Sequence, residues 1–537
     1  METPLTPLEF SRRARKLYPE RVAVVDCSSR WTYAQFLDRC DRWSAVLQRL
    51  GIRPGDRIAY LSPNTHLQLE SFYAVPQIGA VLVPLNYRLT ADDFVYLINH
   101  SGSRMICADR DYLDTIDSVR SRLSCVEHFV ALNRSVELPA REDFRSPQPN
   151  SAWLDYEALL DASAAEFARP EFHETDLLTI NYTSGTTSRP KGVMITHRNA
   201  WMNSIGTLLY APMTCADRYL WTLPMFHANG WTFVWTVTAA GATHICLRKC
   251  EPRAVFELMK TEQVTTLCAA PTVLISLANA PDNLRRLAPK GIHVVTAGAP
   301  PAASTIQRLE EDLGWIITHV YGLTETAPFI TVCEARAEHA PLSISERAAI
   351  KARQGVELIT SGELRVVDTE GNDVPGDGLT QGEIIARGNV VMAGYYNDWE
   401  ATEKALRGGW FHTGDAAVVH PDGYVEIRDR LKDVIISGGE NISSVEVEGM
   451  LLKHPAIREV AIVGFPHEKW GEAPHAFVVL HEGAHADERE LLEFARANLA
   501  HFKAPHSMTF ITELPKTATG KIQKYVLRAQ RPAIAPQ

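Results

Sequence analysis

Asn181-Tyr182-Thr183-Ser184-Gly185-Thr186-Thr187-Ser188-Arg189-Pro190-Lys191-Gly192 follows directly on the apolar run Leu177-Leu178-Thr179-Ile180. The run reads as a buried strand. The residues after it bring small hydroxyl side chains, two glycines and a lysine. Small residues let backbone N–H groups close in on an anion, and hydroxyls add donors. Lys191 supplies a mobile positive charge at the end of the loop. A loop of this make-up folds over polyphosphate. It is not a Walker loop: no Gly-Lys-Ser or Gly-Lys-Thr occurs, and Lys191 precedes a glycine instead of following one.

Upstream, strand and helix signals alternate. Arg57-Ile58-Ala59-Tyr60-Leu61 reads as a strand, Thr65 to Ala80 as a helix, and Val81-Leu82-Val83 as the next strand. Thr90 and Asp93 have the spacing of a capping box, opening a helix whose Phe94, Leu97 and Ile98 share a face. Gly102 ends it, and Met105-Ile106-Cys107 begins another strand. This alternation predicts parallel α/β layers. Arg134 to Asn150, rich in Pro, Arg, Glu and Ser, reads as a surface excursion.

A chain of 537 residues is too long for one core. Its 45% hydrophobic and 22% charged content is that of an ordinary globular protein. The net charge of −10 argues against a nucleic-acid binder, so positive potential for an anion must be local. No apolar run is long enough to span a bilayer. Met1-Glu2-Thr3-Pro4 has no basic region and apolar core, and Ala535-Pro536-Gln537 is not a peroxisomal address. The nine cysteines are scattered; Cys246 and Cys250 are the closest pair and no second pair completes a zinc site. Reduced thiols in a cytoplasmic protein are expected.

Downstream, Thr196 to Leu209 reads as a helix with Trp201, Ile205 and Leu208 on one side. In Leu223-Pro224-Met225-Phe226-His227-Ala228-Asn229-Gly230-Trp231, a histidine and a tryptophan four apart beside a glycine suit a pocket wall or a packed core. Val294-Val295-Thr296-Ala297-Gly298-Ala299-Pro300 reads as a strand running into a tight turn, followed by His319-Val320-Tyr321-Gly322-Leu323-Thr324-Glu325-Thr326. Ala335 to Gln354 is a charged, alanine-rich insertion expected to be a solvated helix. Gly362 to Asp368 and Gly382 to Gly388 alternate as strands of a small β-subdomain. Gly409-Trp410-Phe411-His412-Thr413-Gly414-Asp415 and Ile427-Arg428-Asp429-Arg430-Leu431-Lys432-Asp433 come next. Beyond Lys432 lies the glycine-rich Ser437-Gly438-Gly439-Glu440-Asn441-Ile442-Ser443, with Ser443 and Glu446 at capping-box spacing. Strands at Val460–Val463, Ala476–Leu480 and Met508–Ile511 and a helix at Leu491–Leu499 predict a small α+β domain, closed by Leu514-Pro515-Lys516-Thr517-Ala518-Thr519-Gly520-Lys521-Ile522-Gln523-Lys524.

Together with the loop at Asn181–Gly192, these runs resemble the adenylate-forming superfamily: acyl-CoA synthetases, peptide-synthetase adenylation domains and luciferases. The resemblance holds in order along nearly the whole chain. Its nearest part is the plant-type acyl-activating enzymes and the bacterial medium-chain and 3-methylmercaptopropionate CoA ligases, and Glu383 and Gly394-Tyr395-Tyr396 also match. The resemblance implies a large N-terminal domain of layered α/β subdomains plus a β-subdomain at 1–429. A hinge at 430–432, centred on Lys432, and a small mobile α+β domain at 433–537 complete it.

The implied reaction is ATP-dependent acyl-CoA synthesis through an acyl-adenylate, with ATP, Mg²⁺ and CoA. Thr183, Ser184, Gly185, Thr186, Thr187 and Lys191 are implied to hold phosphates. Gly298, Ala299, Pro300, His319, Tyr321 and Gly322 are implied to hold the adenine side, and Asp415 and Arg430 the ribose. Glu325 and Thr183 are implied to hold Mg²⁺, a hard cation that prefers oxygen. Thr324 can donate to the α-phosphate, and an ammonium at Lys521 can offset the charges that meet when a carboxylate attacks it. His227 is counted with these two among the catalytic candidates, and His227, Trp231 and Gly298 are implied to line the acid pocket. Ser437, Gly438 and Gly439 are implied to form the CoA tunnel.

The acid suggested is short- to medium-chain and aliphatic, including a methylthio-substituted one; an aryl acid stays open. A carrier-protein-loading adenylation domain is the other reading, but no acidic residue stands at Phe226-His227-Ala228 to meet an amino group. A homodimer is the expected assembly.

Overall fold

A computed structural model of the chain describes residues 2–132, 153–183, 189–431, 433–437, 440–467, 470–517 and 522–530. The expected excursion at Arg134–Asn150 lies outside them. So do Ser184, Gly185, Thr186, Thr187, Lys432, Gly438, Gly439 and Lys521.

Two large sheets carry most of the chain. The first has eight strands in the order Gly394–Tyr395, Lys191–Thr196, Leu177–Thr183, Val81–Pro84, Arg57–Leu61, Ser103–Asp109, His128–Leu132 and Leu154–Asp155. Pairing is parallel from Leu177–Thr183 to Leu154–Asp155. It then turns antiparallel through Lys191–Thr196, with Thr183 opposite Lys191. The second sheet has nine strands; Val22–Asp26, Thr243–Cys246, Arg218–Leu220, Thr266–Ala269, His293–Thr296 and Ile316–Gly322 run parallel within it. The strands are nearly continuous apolar runs because both faces are covered.

The core lies between these sheets. Helix Tyr33–Arg49 buries Tyr33, Phe36, Trp43 and Val46 there, and helix His66–Ala74 is buried on every side. Each such large apolar side chain contributes about 1.5–3 kcal/mol by leaving water. The helix expected over 65–80 is shorter than its apolar pattern. Thr65 caps it by accepting from Gln68 N, but Pro76 brings no N–H, so the chain passes into a tighter turn at Pro76–Ile78. The capping box at Thr90 and Asp93 forms as read, and Phe94, Leu97 and Ile98 are buried.

The insertion expected to be solvated is docked instead. Its helix Ile344–Lys351 buries Ala348, and Lys351 pairs with Glu310 on helix Ala303–Leu313. Glu363–Val367, Gly382–Arg387, Phe411–Val419 and Val425–Arg430 form a four-stranded antiparallel sheet. A fourth sheet, of five strands, is formed by Glu440–Ile442, Ile435–Ser437, Gly471–Leu480, Ile457–His467 and Ser507–Phe510, with helices Ser444–Leu451, Glu488–Asn498 and Lys524–Ala529 beside it. No helix among the described residues is long and apolar enough to cross a membrane.

Candidate active site

The strand that enters the glycine-rich loop alternates its faces. Thr179, Asn181 and Thr183 lie on one side, Ile180 and Tyr182 on the other. Asn181 Nδ2 donates to the Phe226 carbonyl at 3.2 Å and to Asn229 Oδ1 at 3.0 Å. Asn229 Nδ2 donates to Thr179 Oγ1 at 2.7 Å and to Asn181 Oδ1 at 3.1 Å. These bonds tie the phosphate strand to the segment after His227. That segment runs left-handed: φ is +40° at Ala228, +49° at Asn229, +54° at Gly230, +53° at Trp231 and +67° at Thr232. For a residue with a Cβ this costs about 1–2 kcal/mol each. The buried amide bonds of Asn229 help to hold the turn, and a Cβ at Gly230 would lie 2.6 Å from the Trp221 ring.

The turn aims Trp231 at Gly298. A Cβ built on Gly298 would come within 3.9 Å of the Trp231 ring, and Gly298 has a φ of +92°. Trp231 is 4% exposed and meets Phe329 edge-on, with centroids 5.7 Å apart. Behind Phe329 lies a narrow apolar cavity bordered by Thr207, Tyr210, Val295, Val320 and Leu358. Trp231 is thus both core and wall. Gly298 and Ala299 are exposed, Pro300 half-buried, and His227 half-buried at the head of the turn.

A second constellation joins the sheets. Asp415 and Arg430 are cross-strand partners in the four-stranded sheet. Arg430 Nε lies 2.7 Å from Asp415 Oδ1, and the Tyr321 hydroxyl donates to Asp415 Oδ2 at 2.6 Å. Burial pushes the Tyr321 phenol up, and the Asp415 charge pushes it further. Burial alone would weaken the charge on Arg430, but Asp415, Tyr321, Glu325 and Asp433 outweigh it and raise its pKa. Asp415 Oδ2 accepts one hydrogen bond and Oδ1 is ion-paired, and a carboxylate has about four lone-pair sites, so both oxygens retain acceptor capacity for ribose hydroxyls. Glu383 sets the approach, with Oε1 accepting from Gly414 N at 3.0 Å and Oε2 lying 2.8 Å from His412 Nδ1.

Glu325 sits on a tight turn, Thr324–Thr326. A Cβ at Gly322 would lie 1.8 Å from the Pro328 carbonyl oxygen, so only glycine fits where the strand meets this turn. Thr326 Oγ1 accepts from Leu323 N at 2.9 Å and also donates to the Pro328 carbonyl. Tyr395 donates to Glu325 Oε1 at 2.9 Å, and Lys191 Nζ stands 4.8 Å over the Tyr395 ring. Thr183, Lys191, Tyr395 and Glu325 therefore follow one another across the sheet edge. Among the described residues no three His, Cys, Asp or Glu side chains converge as a metal site. Mg²⁺ that arrives with a nucleotide needs only one or two carboxylates beside phosphate oxygens, and Glu325 offers one.

The residues brought together are thus Thr183, Lys191 and Glu325; Tyr321, Asp415 and Arg430; and Trp231 with Gly298. His319 is engaged elsewhere. Its buried Nδ1 lies 2.8 and 3.1 Å from the Arg353 and Lys351 carbonyls, and burial holds its pKa down at about 4. It steadies the end of the docked insertion. Ser437 is buried in a strand, paired with Glu440 and Gly471. Tyr395, Glu383 and Asn229 had no assigned role in the sequence. The run Gly394-Tyr395-Tyr396 was the signal for the first, but nothing local to Asn229 pointed to Thr179, fifty residues away.

Residues 10–396 match the family model described as AMP-binding enzyme, and residues 446–521 match that described as AMP-binding enzyme C-terminal domain. The chain is 42% identical over 536 residues to 4-hydroxybutyrate–CoA ligase 2 of Metallosphaera sedula, covering 99% of this chain and 95% of that protein. It is 39% identical over 534 residues to the peroxisomal trans-cinnamate:CoA ligase of Petunia hybrida, covering 98% and 94%. Its fold matches the crystal structure of the anthranilate CoA ligase AuaEII in complex with anthranoyl-AMP with a TM-score of 0.87, at 23% identity over 99% of each chain.

Proposed function

As a chain that belongs to the family of AMP-binding enzymes, this protein is an ATP-dependent, AMP-forming acid–CoA ligase, and we propose that its acid is short- to medium-chain and aliphatic, a methylthio-substituted acid included. The observation that carries the reading is the Tyr321–Asp415–Arg430 constellation beside the Lys191–Tyr395–Glu325 row.

Two half-reactions follow. A carboxylate oxygen attacks the α-phosphorus of ATP, and pyrophosphate leaves with the broken P–O bond. The thiolate of CoA then attacks the carbonyl of the mixed anhydride, and AMP leaves. AMP is itself a good leaving group, so no protein nucleophile is required.

In this reading Asp415 and Arg430 fix the ribose, and Tyr321 with Gly298, Ala299 and Pro300 receives the adenine. Thr183 and Lys191 hold phosphates together with the loop that includes Ser184, Gly185, Thr186 and Thr187. Thr324 donates to the α-phosphate, and Lys521 offsets charge where carboxylate and phosphate meet. Glu325, with Thr183, would hold Mg²⁺, which supplies charge neutralisation to the phosphates when bound. His227 gates the entry of acid and ATP. The domain at 433–537 turns about Lys432 between the two steps, and Ser437, Gly438 and Gly439 then line the path of CoA.

The aliphatic acid is supported by the apolar wall of Trp231 and Phe329 over Gly298. The relative named for 4-hydroxybutyrate agrees with it. A second reading, an aryl acid, is favoured by the edge-on Trp231–Phe329 pair, which suits a planar ring, and by the relative named for trans-cinnamate. We also propose a cytoplasmic homodimer; nine free cysteines suit a reducing compartment, although several plant relatives are named peroxisomal.

A screen of straight-chain, methylthio and aryl acids, scored by AMP released with and without CoA, tests the reading. Highest kcat/KM for an aliphatic acid of intermediate length, with CoA required for turnover, is expected. Preference for benzoate- or cinnamate-like acids would move the assignment to an aryl ligase. CoA-independent turnover onto a carrier protein would overturn it.

A further inference from the structure

Behind the phosphate hairpin lies a cleft of about 160 Å³ bordered by Tyr96, His100, Arg189, Lys191, Tyr396 and Asp398. One side of it is the helix Ala91–Ser101. Tyr96 and His100 stand four residues apart and so share one face of that helix. His100 reaches the first strand of the hairpin at Tyr182, and Tyr96 reaches Pro190, the residue just before the second strand. The Tyr96 hydroxyl donates to the Pro190 carbonyl at 3.1 Å, and the Arg189 guanidinium sits 5.3 Å over the Tyr96 ring. His100 Nδ1 lies 2.8 Å from the Tyr182 hydroxyl, and Tyr396 closes edge-on against His100 at 6.1 Å.

Tyr182 precedes Thr183 and Pro190 precedes Lys191, and Thr183 and Lys191 are register partners. Tyr182 points to the face of the sheet opposite Thr183. The helix therefore grips both feet of the hairpin, one bond to each, next to the register pair Thr183 and Lys191 that the two proposed phosphate ligands form. A hairpin end held at one foot can still twist; held at both, the separation and aim of Thr183 and Lys191 are fixed.

We propose that Tyr96 and His100 are positioning residues for ATP, setting the geometry of Thr183 and Lys191 through the strands that bear them, an assignment that rests on the ligase reading above. Neither touches the nucleotide. Their effect belongs to the first half-reaction alone, because only that step uses the triphosphate.

The test measures, on the full chain, single-turnover adenylate formation against ATP concentration, and thioester formation from chemically supplied acyl-adenylate and CoA. Tyr96→Ala and His100→Ala should each raise the KM for ATP or cut adenylation kcat/KM about tenfold or more, since small misplacements of a binding group are costly. Thioester formation from supplied adenylate should stay within about twofold of the parent. Tyr96→Phe keeps the ring under Arg189 and loses only the bond to Pro190; it should fall between parent and Tyr96→Ala. It also decides the matter if Tyr96→Ala does not fold. Equal losses in both half-reactions, or an unchanged KM and kcat/KM for ATP in folded Tyr96→Phe and His100→Ala, would overturn the proposal. An unmutated protein that forms no adenylate with any acid would overturn the ligase reading as well, and so is distinct from failure of the brace alone.

Discussion

At the scale of single residues, Trp231 and His319 make opposite uses of burial. Trp231 spends its indole on a wall: it contacts Phe329 on one side and faces Gly298 on the other. Trp231→Ala should open apolar volume toward Phe329 and move preference to longer or bulkier acids, each added buried methylene contributing about 0.8 kcal/mol. The kcat/KM profile across a homologous series of acids checks this, and an unchanged profile would make Trp231 core alone. His319 is held at about 4 by burial, against 6.5 in the unfolded chain. Between those values the unfolded chain binds a proton that the folded chain refuses. Stability is therefore complete above 6.5 and is lost as pH falls toward 4, by about 3 kcal/mol for this one group. His319→Asn removes the titration, so its urea midpoint should fall less steeply from pH 6.5 to 4 than the parent's. Parallel slopes would show that the imidazole is not the group responsible. Both residues were visible in the sequence, Trp231 as a pocket wall and His319 within its motif. What the motif could not show is that the Lys351 and Arg353 carbonyls, thirty-odd positions on, had already claimed the ring.

At the scale of elements, the left-handed turn from Ala228 to Thr232 is the least legible part of the site. Four of its five residues carry a Cβ, so local propensity argues against it. The compensation is long-range: Asn229 bonds to Thr179 and Asn181 on the phosphate strand. Asn229→Ala should remove three buried hydrogen bonds, leaving Thr179 and Asn181 only their bonds to each other and to the Phe226 carbonyl, at about 1–3 kcal/mol, and should raise the KM for the acid as Trp231 loses its aim. Thermal unfolding and acid titration of the variant check both halves; a lower melting point with an unchanged KM would separate the turn from the pocket. By contrast, the strands at Arg57, Val81 and Leu177, the Thr90 cap and the left-handed Gly102 stand where the sequence put them, because each rests on signals within a few residues. The helix over 65–80 was overextended for the same reason in reverse. Its apolar pattern continued past Pro76, whose missing N–H ended the ladder. Ala335 to Gln354 read as solvated because its charges are many; that Glu310 and His319 would meet its last turn was a fact of tertiary packing.

At the scale of the molecule, the proposed two-step reaction places its demand on the segment Asp429-Arg430-Leu431-Lys432-Asp433. Asp429 is buried, and its Oδ2 accepts from Ser444 N at 2.7 Å and Ser444 Oγ at 2.6 Å, across from strand Val425–Arg430 to the first helix of the five-stranded unit. Lys524, three residues past Lys521, bonds to Ser444 Oγ and lies 2.8 Å from Glu448, while Arg528 lies 2.7 Å from Asp433. Burial alone would lower Lys524, but the carboxylates of Glu448, Asp429 and Asp433 outweigh it and keep it charged. The chain on either side of Lys432 is thus tied down, and no glycine lies between Asp429 and Asp433. A domain rotation must then be absorbed by the φ and ψ of one or two residues. Lys432→Pro would lock φ near about −65° and restrict Leu431 before it. Adenylation should remain largely intact while transfer to CoA is blocked, so that adenylate accumulates in single-turnover experiments with CoA present. Arg430 is close enough for its bond to Asp415 to suffer, and adenylation measured in the same variant controls for that. Normal thioester turnover in folded Lys432→Pro would exclude a hinge at this position, because a backbone with one frozen φ there could not have made the rotation.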